Sequence, residues 1–408
     1  MAENLEESHA VNISSNELDE ETKEKLKGDC IGDTLYSKSF VIRTLMGLSA
    51  LNYNEEEEHD LCFLWDMTLE KDVCQLLLDL QYPCIAIEAL ANCRQERFTE
   101  ILLGIFGNIL IPNCNITIAD YILKSAFNEF NTDSPFVCIQ LMRLLEIIAY
   151  KFPNQIPILG QEVLEVRMQF ILNYSFSSEL INQTMQTLVH LTEDFKINQC
   201  YVSSALFKSV IEGINTVLSL ESSNSEVDMD SSETCKIVNR AFNLISNICA
   251  YVGQYHHDLE IAEAISCSEK LHLIISKVII HYSVEENLLP LPVNFNEYIL
   301  AFQVIFTTRD VRIVSKDDCK LFSEIFKPLC LIVYILHGCK SEVLDSFNKI
   351  LELVAILIHL VSAESVLNQL RHLDYKKGIV VLNSLKELSR SLKFDIGEKI
   401  RFLFEEYK

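Results

Sequence analysis

Apolar residues recur at every third or fourth position along this chain, from residue 35 almost to its end. That spacing lays a stripe down one side of a helix. It predicts helices near 69–80, 84–91, 97–111, 117–130, 136–151 and 160–173. Others follow near 178–194, 203–220, 233–252, 258–283, 296–307, 317–338, 342–362, 364–392 and 396–406. A first helix is predicted after Asp33 or Thr34, with Leu35, Val41, Ile42, Leu45, Met46 and Leu48 as its stripe. Connections are short, and Thr68, Ser134 and Ser177 stand where caps are expected.

Polar runs interrupt this pattern. Residues 1–27 read as a disordered acidic tail, and "NYNEEEEHD" (52–60) as an exposed acidic linker. "ESSNSEVDMDSSE" (221–233) reads as a flexible acidic insertion, and "SVEENLLPLPVN" (283–294) as a proline-bearing loop.

A larger period overlies the helical one. "GIFGNILI" (104–111), "RLLEIIAY" (143–150), "TLVHLTED" (187–194) and "NLISNICA" (243–250) each close an apolar helix. "QVIFTTRD" (303–310) and "AILIHLVS" (355–362) fit more loosely. The first four start 39, 44 and 56 residues apart, the last falling to 43 once the 13-residue acidic insertion is set aside. That spacing is near the period of units of two or three helices that bury their faces only by stacking. The expected fold is all-α, an armadillo- or HEAT-like solenoid over residues 28–408. A globular helical bundle is the alternative.

Composition narrows the picture. Only 11 glycines and 8 prolines in 408 residues disfavour a turn-rich β fold. The formal charge of −24 opposes binding to nucleic acid and to anionic membranes, whose affinity rests on Lys and Arg. The expected partners are other proteins, with basic segments where charge matters. The 14 cysteines include no CxxC pair, and Cys74, Cys138, Cys249 and Cys330 sit in apolar runs as small hydrophobes. No secretory leader is read, so the cytosol or nucleus is expected. No cofactor or metal pattern is read.

Candidate chemistry is sparse. Cys30, in "KGDCIGDTLYSKSF" (27–40), lacks a histidine base at any telling spacing, so chain routing is preferred over binding or catalysis. The trio His256, His257 and Asp258 reads as an exposed turn, because neighbouring residues on a helix point apart. Trp65, the single tryptophan, is expected to anchor the core with Phe63 and Leu61, or else to meet a partner. Asp66 and Thr68 would cap the next helix. Asn108 and Asn247 occupy the place of the peptide-gripping asparagine of armadillo repeats. Gly104 and Asn243 stand four residues before them, where peptide readers carry tryptophan, so helix-packing or exposed roles are preferred over groove binding. Ser223 and Ser225 each precede an acid by three residues and are candidate phosphosites. Residues 371–401 carry eight basic and four acidic residues, against five and fifteen over 1–60, so the basic end is a candidate seat for the tail.

The ordered set "GDCIGDTLYSKSF", "CFLWDM", "KDVCQLLLDL" and "GIFGNIL" resembles the serum amyloid A-like family, the synoviocyte-proliferation-associated proteins. The name implies no relation to the serum apolipoprotein. The matching positions are Gly28, Asp29, Cys30, Ile31, Gly32, Thr34, Tyr36, Ser37 and Lys38, then Trp65, Asp66, Met67, Gly104, Gly107 and Asn108. The resemblance covers roughly residues 28–111. It implies an armadillo-type fold, a non-enzymatic role promoting proliferation, and nuclear residence. An acidic transport adaptor or chaperone for basic cargo, and a Cys30 enzyme, are the alternatives.

Overall fold

The computed structural model describes residues 28–407, apart from 51–53, 94, 113–119, 194–201, 222–231, 256–258, 309–315, 390–391 and 393–394. The tail 1–27, Ser223, Ser225 and the His256–His257–Asp258 trio lie outside the described residues. Every named element among those described is helical, consistent with a helical-repeat solenoid. The chain divides into two compact units, residues 1–159 and 160–408. At the division, a 3-10 turn (Pro153–Leu159) containing Pro157 meets Gly160, whose φ of 81° is left-handed.

The first unit holds α1 (Lys38–Ser49), α2 (Glu55–Met67), α3 (Lys71–Asp79), α4 (Tyr82–Asn92), α5 (Glu96–Leu110), α6 (Asp120–Asn128) and α7 (Pro135–Lys151). Helices α2, α5 and α7 form one row, and α1, α4 and α6 a second. Helix α5 is central. Every residue from Phe98 to Leu110 is buried, Glu100 and Asn108 included, because α2, α3, α4 and α7 wall the helix in.

The second unit repeats the plan. Its helices are α8 (Gln161–Tyr174), α9 (Ser178–Glu193), α10 (Ser204–Glu221), α11 (Ser232–Tyr255), α12 (Leu259–Ser266), α13 (Glu269–Tyr282) and α14 (Glu285–Leu288). Then come α15 (Phe295–Thr308), α16 (Lys316–Gly338), α17 (Leu344–Leu360), α18 (Ala363–Leu370), α19 (Tyr375–Leu388) and α20 (Gly397–Glu406). One row runs α9, α11, α15, α17, and the other α8, α10, α13, α16, α19. The six apolar segments read as repeats lie on α5, α7, α9, α11, α15 and α17, always in the same kind of row.

Several boundaries differ from the expectation. The glutamates 55–58 are not a linker. They form the first turn of α2, where Asn54 accepts from the Glu57 amide at 3.0 Å and the helix dipole favours acids. Helix α1 starts at Lys38, because Ser37 is its cap. Of its stripe, Val41, Leu45 and Leu48 are buried, whereas Leu35, Ile42 and Met46 are exposed. Caps at Ser268 and Asp374 split two helices that look continuous in the sequence. Ser177 caps α9 through the Leu180 amide, but Glu70 rather than Asp66 or Thr68 occupies the cap position of α3. The expected core cysteines 74, 138, 249 and 330 are all buried, and burial pushes the Cys74 thiol up to about 11.

The basic end is partly spent on architecture. The Lys399 ammonium donates to the carbonyls of Ile358, His359 and Val361 at 3.0, 2.9 and 2.8 Å, capping the C-terminus of α17. Lys377 lies over Tyr334 and Lys386 over Phe404. Arg371 and Lys376 are exposed. A Lys399→Met substitution is expected to lower the urea midpoint, reflecting a loss of roughly 1 kcal/mol of stability for a cation withdrawn from a helix C-terminus. Lys399→Arg should restore part of it. An unchanged midpoint in the methionine variant would show that the cap contributes nothing.

Candidate functional site

The residues singled out by the resemblance gather in the first unit, around the entry to α1. Residues 29–38 fold back as a miniature hairpin with an isolated antiparallel bridge between Cys30 and Ser37. The Ile31 amide donates to the Tyr36 carbonyl at 3.1 Å, and the Lys38 amide to the Asp29 carbonyl at 2.7 Å. Thr34 ties the turn through its hydroxyl to the Ile31 carbonyl at 2.7 Å. Gly32 takes a φ of 54°, and a side chain there would strike the Asp72 carboxylate, which accepts from the Asp33 amide.

Asp29 holds this turn to the helix. One of its oxygens accepts from the Ser39 amide and hydroxyl at 2.8 and 2.6 Å, and the other from the Ser37 hydroxyl. The Ser37 oxygen in turn accepts from the Phe40 amide at 3.0 Å. The Ser37 hydrogen bond, then those from Ser39, hold the Asp29 carboxyl below the usual range. Phe63 of α2 remains partly exposed, with Tyr36 and Phe40 set edge-on to it at 6.1 and 5.3 Å. Cys30 is half-buried, Gly28 and Lys38 are exposed, and the visible work of the segment is to route the chain.

Trp65 is half-buried, and its indole lies across Gly104 of α5, where a methyl group would overlap the ring. Met67 is fully buried and Asp66 exposed. One turn beyond Gly104 sits Asn108, 6% exposed. Its amide nitrogen donates to the Thr68 hydroxyl at 2.7 Å, and its oxygen accepts from the Arg143 guanidinium. The side chain proposed to grip a peptide is therefore engaged at both ends within the helix stack. Burial lowers the pKa of Arg143.

Asn247 repeats the motif one unit on. Its nitrogen donates to the Thr192 hydroxyl at 3.0 Å, again joining neighbours of one row. Further links within the same row run from Asn239 to Glu297 at 2.6 Å and from Gln303 to the Lys349 carbonyl at 2.7 Å. The described residues contain no group of three His, Cys, Asp or Glu side chains placed to hold a metal. No single described helix is long and apolar enough to cross a membrane.

The sequence reading passed over the most exposed apolar face. On α8, Val166, Phe170 and Tyr174 are 64%, 53% and 66% exposed, and Phe176 just beyond is 81% exposed. The Phe170 and Tyr174 rings lie 5.1 Å apart. The opposite side of α8, with Leu164, Met168 and Leu172, is buried. The signal was available as a second run at i, i+4, i+8 beside the core stripe.

Three relatives are similar to this chain over a limited stretch. Protein saal1 of Danio rerio is 34% identical over 104 residues, covering 22% of each chain. Protein SAAL1 of Homo sapiens is 34% identical over 99 residues, or 20% of this chain and 21% of the relative. Protein saal1 of Xenopus tropicalis is 32% identical over the same length and shares. The matched stretch thus takes in about a fifth of each relative. No family model matches the chain. A crystal structure of an engineered protein aligns with 98% of this chain and 96% of its own at 14% identity, but its TM-score of 0.43 is too low to carry an argument.

Two outcomes follow from this geometry. Gly104→Ala is expected to destabilise the chain by about 1–3 kcal/mol, because the indole cannot yield without shifting α2. The emission of Trp65, the single tryptophan, should move with it. In a Trp65→Leu background the same substitution should cost less, and an equal cost in both backgrounds would refute the pairing. The second concerns acid. A carboxyl whose pKa is lower in the folded chain stabilises it above the unfolded value of about 3.9, and that benefit is lost as pH falls through the folded value. The stability advantage of the native chain over Asp29→Asn should shrink from about pH 4 downward. An advantage independent of pH would contradict the role of Asp29.

Proposed function

We propose that this chain is a non-enzymatic helical-repeat scaffold that promotes cell proliferation and works in the nucleus by holding other proteins. The observation that carries the reading is where the signature residues are spent. Asp29 and Ser37 cap a helix, Gly104 seats Trp65, and Asn108 links Thr68 to Arg143. These side chains build a stack and leave recognition to its surface. The similarity to SAAL1 proteins, although limited to a fifth of the chain, supports the biological half.

A transport adaptor gripping basic cargo through Asn108 and Asn247 has less support, since both side chains already bond within the stack. Catalysis at Cys30 draws none from a residue whose backbone bridges a structural turn. The test is depletion in dividing cells of the source organism, with re-expression of the tagged full chain. Slower division, rescue on re-expression and nuclear enrichment of the tag are expected. An unchanged doubling time after depletion would overturn the proliferation reading.

A further inference from the structure

The α8 face points to a specific occupant. We propose that Val166, Phe170, Tyr174 and Phe176 form a docking face for a short amphipathic helix with a basic flank, supplied by a partner protein. The inference rests on the scaffold reading and names the chemistry of the partner that reading requires.

The shape of the face suits a helix. Three side chains at i, i+4 and i+8 make a ridge along α8, and the exposed Phe176 follows two residues after the helix end. A partner helix with apolar residues at similar spacing can lie along such a ridge, its side chains between the rings. Aromatic side chains are rigid and broad, and so cost little ordering entropy on binding.

Size argues against a second copy. The four side chains together offer roughly 400 Å² of apolar surface, the size of a typical monomer's largest patch, which is often a functional one. A stable interface of standard size buries about 800 Å² on each partner. The patch fits a single helical segment better than the face of another folded chain.

Charge argues the same way. From Gly160 to Glu193 the sequence holds the acids Glu162, Glu165, Glu179 and Glu193 against the base Arg167. Two copies would each bring a net charge of −24 and repel. A helix flanked by Lys or Arg would be drawn in, with faster association at low salt. Anionic vesicles would be repelled like the second copy.

The experiment uses the full chain and a labelled 14-residue Leu/Lys amphipathic helix, with a Leu/Glu helix of the same pattern as control. Fluorescence anisotropy should show micromolar binding of the Leu/Lys helix and at least tenfold weaker binding of the Leu/Glu helix. The combined Phe170→Ser, Tyr174→Ser and Phe176→Ser variant should weaken Leu/Lys binding tenfold or more without changing net charge. Phe176→Ser alone, outside any helix, should weaken it severalfold even if the combined variant folds poorly. Leu273→Ser with Ile280→Ser, on an exposed part of α13, should leave it unchanged.

Equal affinity of the native and Phe176→Ser chains would overturn the proposal, and so would normal binding by a folded combined variant. So would equal binding of the two peptides. A dimer in sedimentation that the combined substitutions dissolve would assign the face to a second copy instead. The two readings fail separately: unchanged division after depletion counts against the proliferation role, and unchanged peptide affinity counts against this face.

Discussion

A helix that is apolar on every side can exist in water only if other helices enclose it. Helix α5, apolar from Ile101 to Leu110 except at Asn108, comes close to that, and the first unit is arranged to enclose it. Hydrophobic burial is non-directional, so it demands enclosure without fixing how the neighbours sit. Direction comes from shape and from hydrogen bonds. Gly104 lets the Trp65 indole lie against the α5 backbone, which sets how closely α2 can approach. Asn108 then sets the register of α5 against its row, because its two amide ends reach Thr68 on one side and Arg143 on the other.

That polar link has a price in sequence. A buried amide costs stability unless both of its ends find partners, so Asn108 commits Thr68 and Arg143 along with itself. Thr68 is in turn engaged with the Trp65 carbonyl, and the Cys74 thiol contacts the Thr68 carbonyl at 3.1 Å. A cluster of residues drawn from the ends of α2 and α5, the start of α3 and the middle of α7 therefore behaves as one joint. The Asn247–Thr192 bond is the same device in the second unit, between α9 and α11. Apolar stripes decide that helices stack. The asparagine–threonine pairs decide where along their length they do so.

The helices were legible because their apolar period is strong and glycine and proline are few. The repeat was legible too, since the recurring segments lie on helices of the same kind of row. What the sequence concealed was partnership across distance. Asn108 lies 40 residues from Thr68 and 35 from Arg143, and no local pattern announces that they meet. Read alone, an asparagine on a repeat helix was compatible with packing, with exposure or with an open groove. Four consecutive glutamates suggested a solvated linker, although an asparagine before them and a helix dipole beneath them make a good first turn. The hairpin at 29–38 was visible as routing, but not the part of Asp29, whose carboxylate gathers three donors from Ser37 and Ser39.

The α8 face poses the opposite problem to α5. There, apolar residues that no neighbouring helix covers remain on a chain that otherwise buries its stripes efficiently. Nearly half the sequence is hydrophobic, and a surface of this kind invites indiscriminate association unless something opposes it. The charge of −24 opposes it, because every copy repels every other at the distances where apolar contact begins. The same charge is neutral or attractive toward a basic segment. Acid excess and an aromatic ridge thus act together as a filter. The ridge supplies adhesion to any apolar helix, and the surrounding charge determines which helices come near enough to use it.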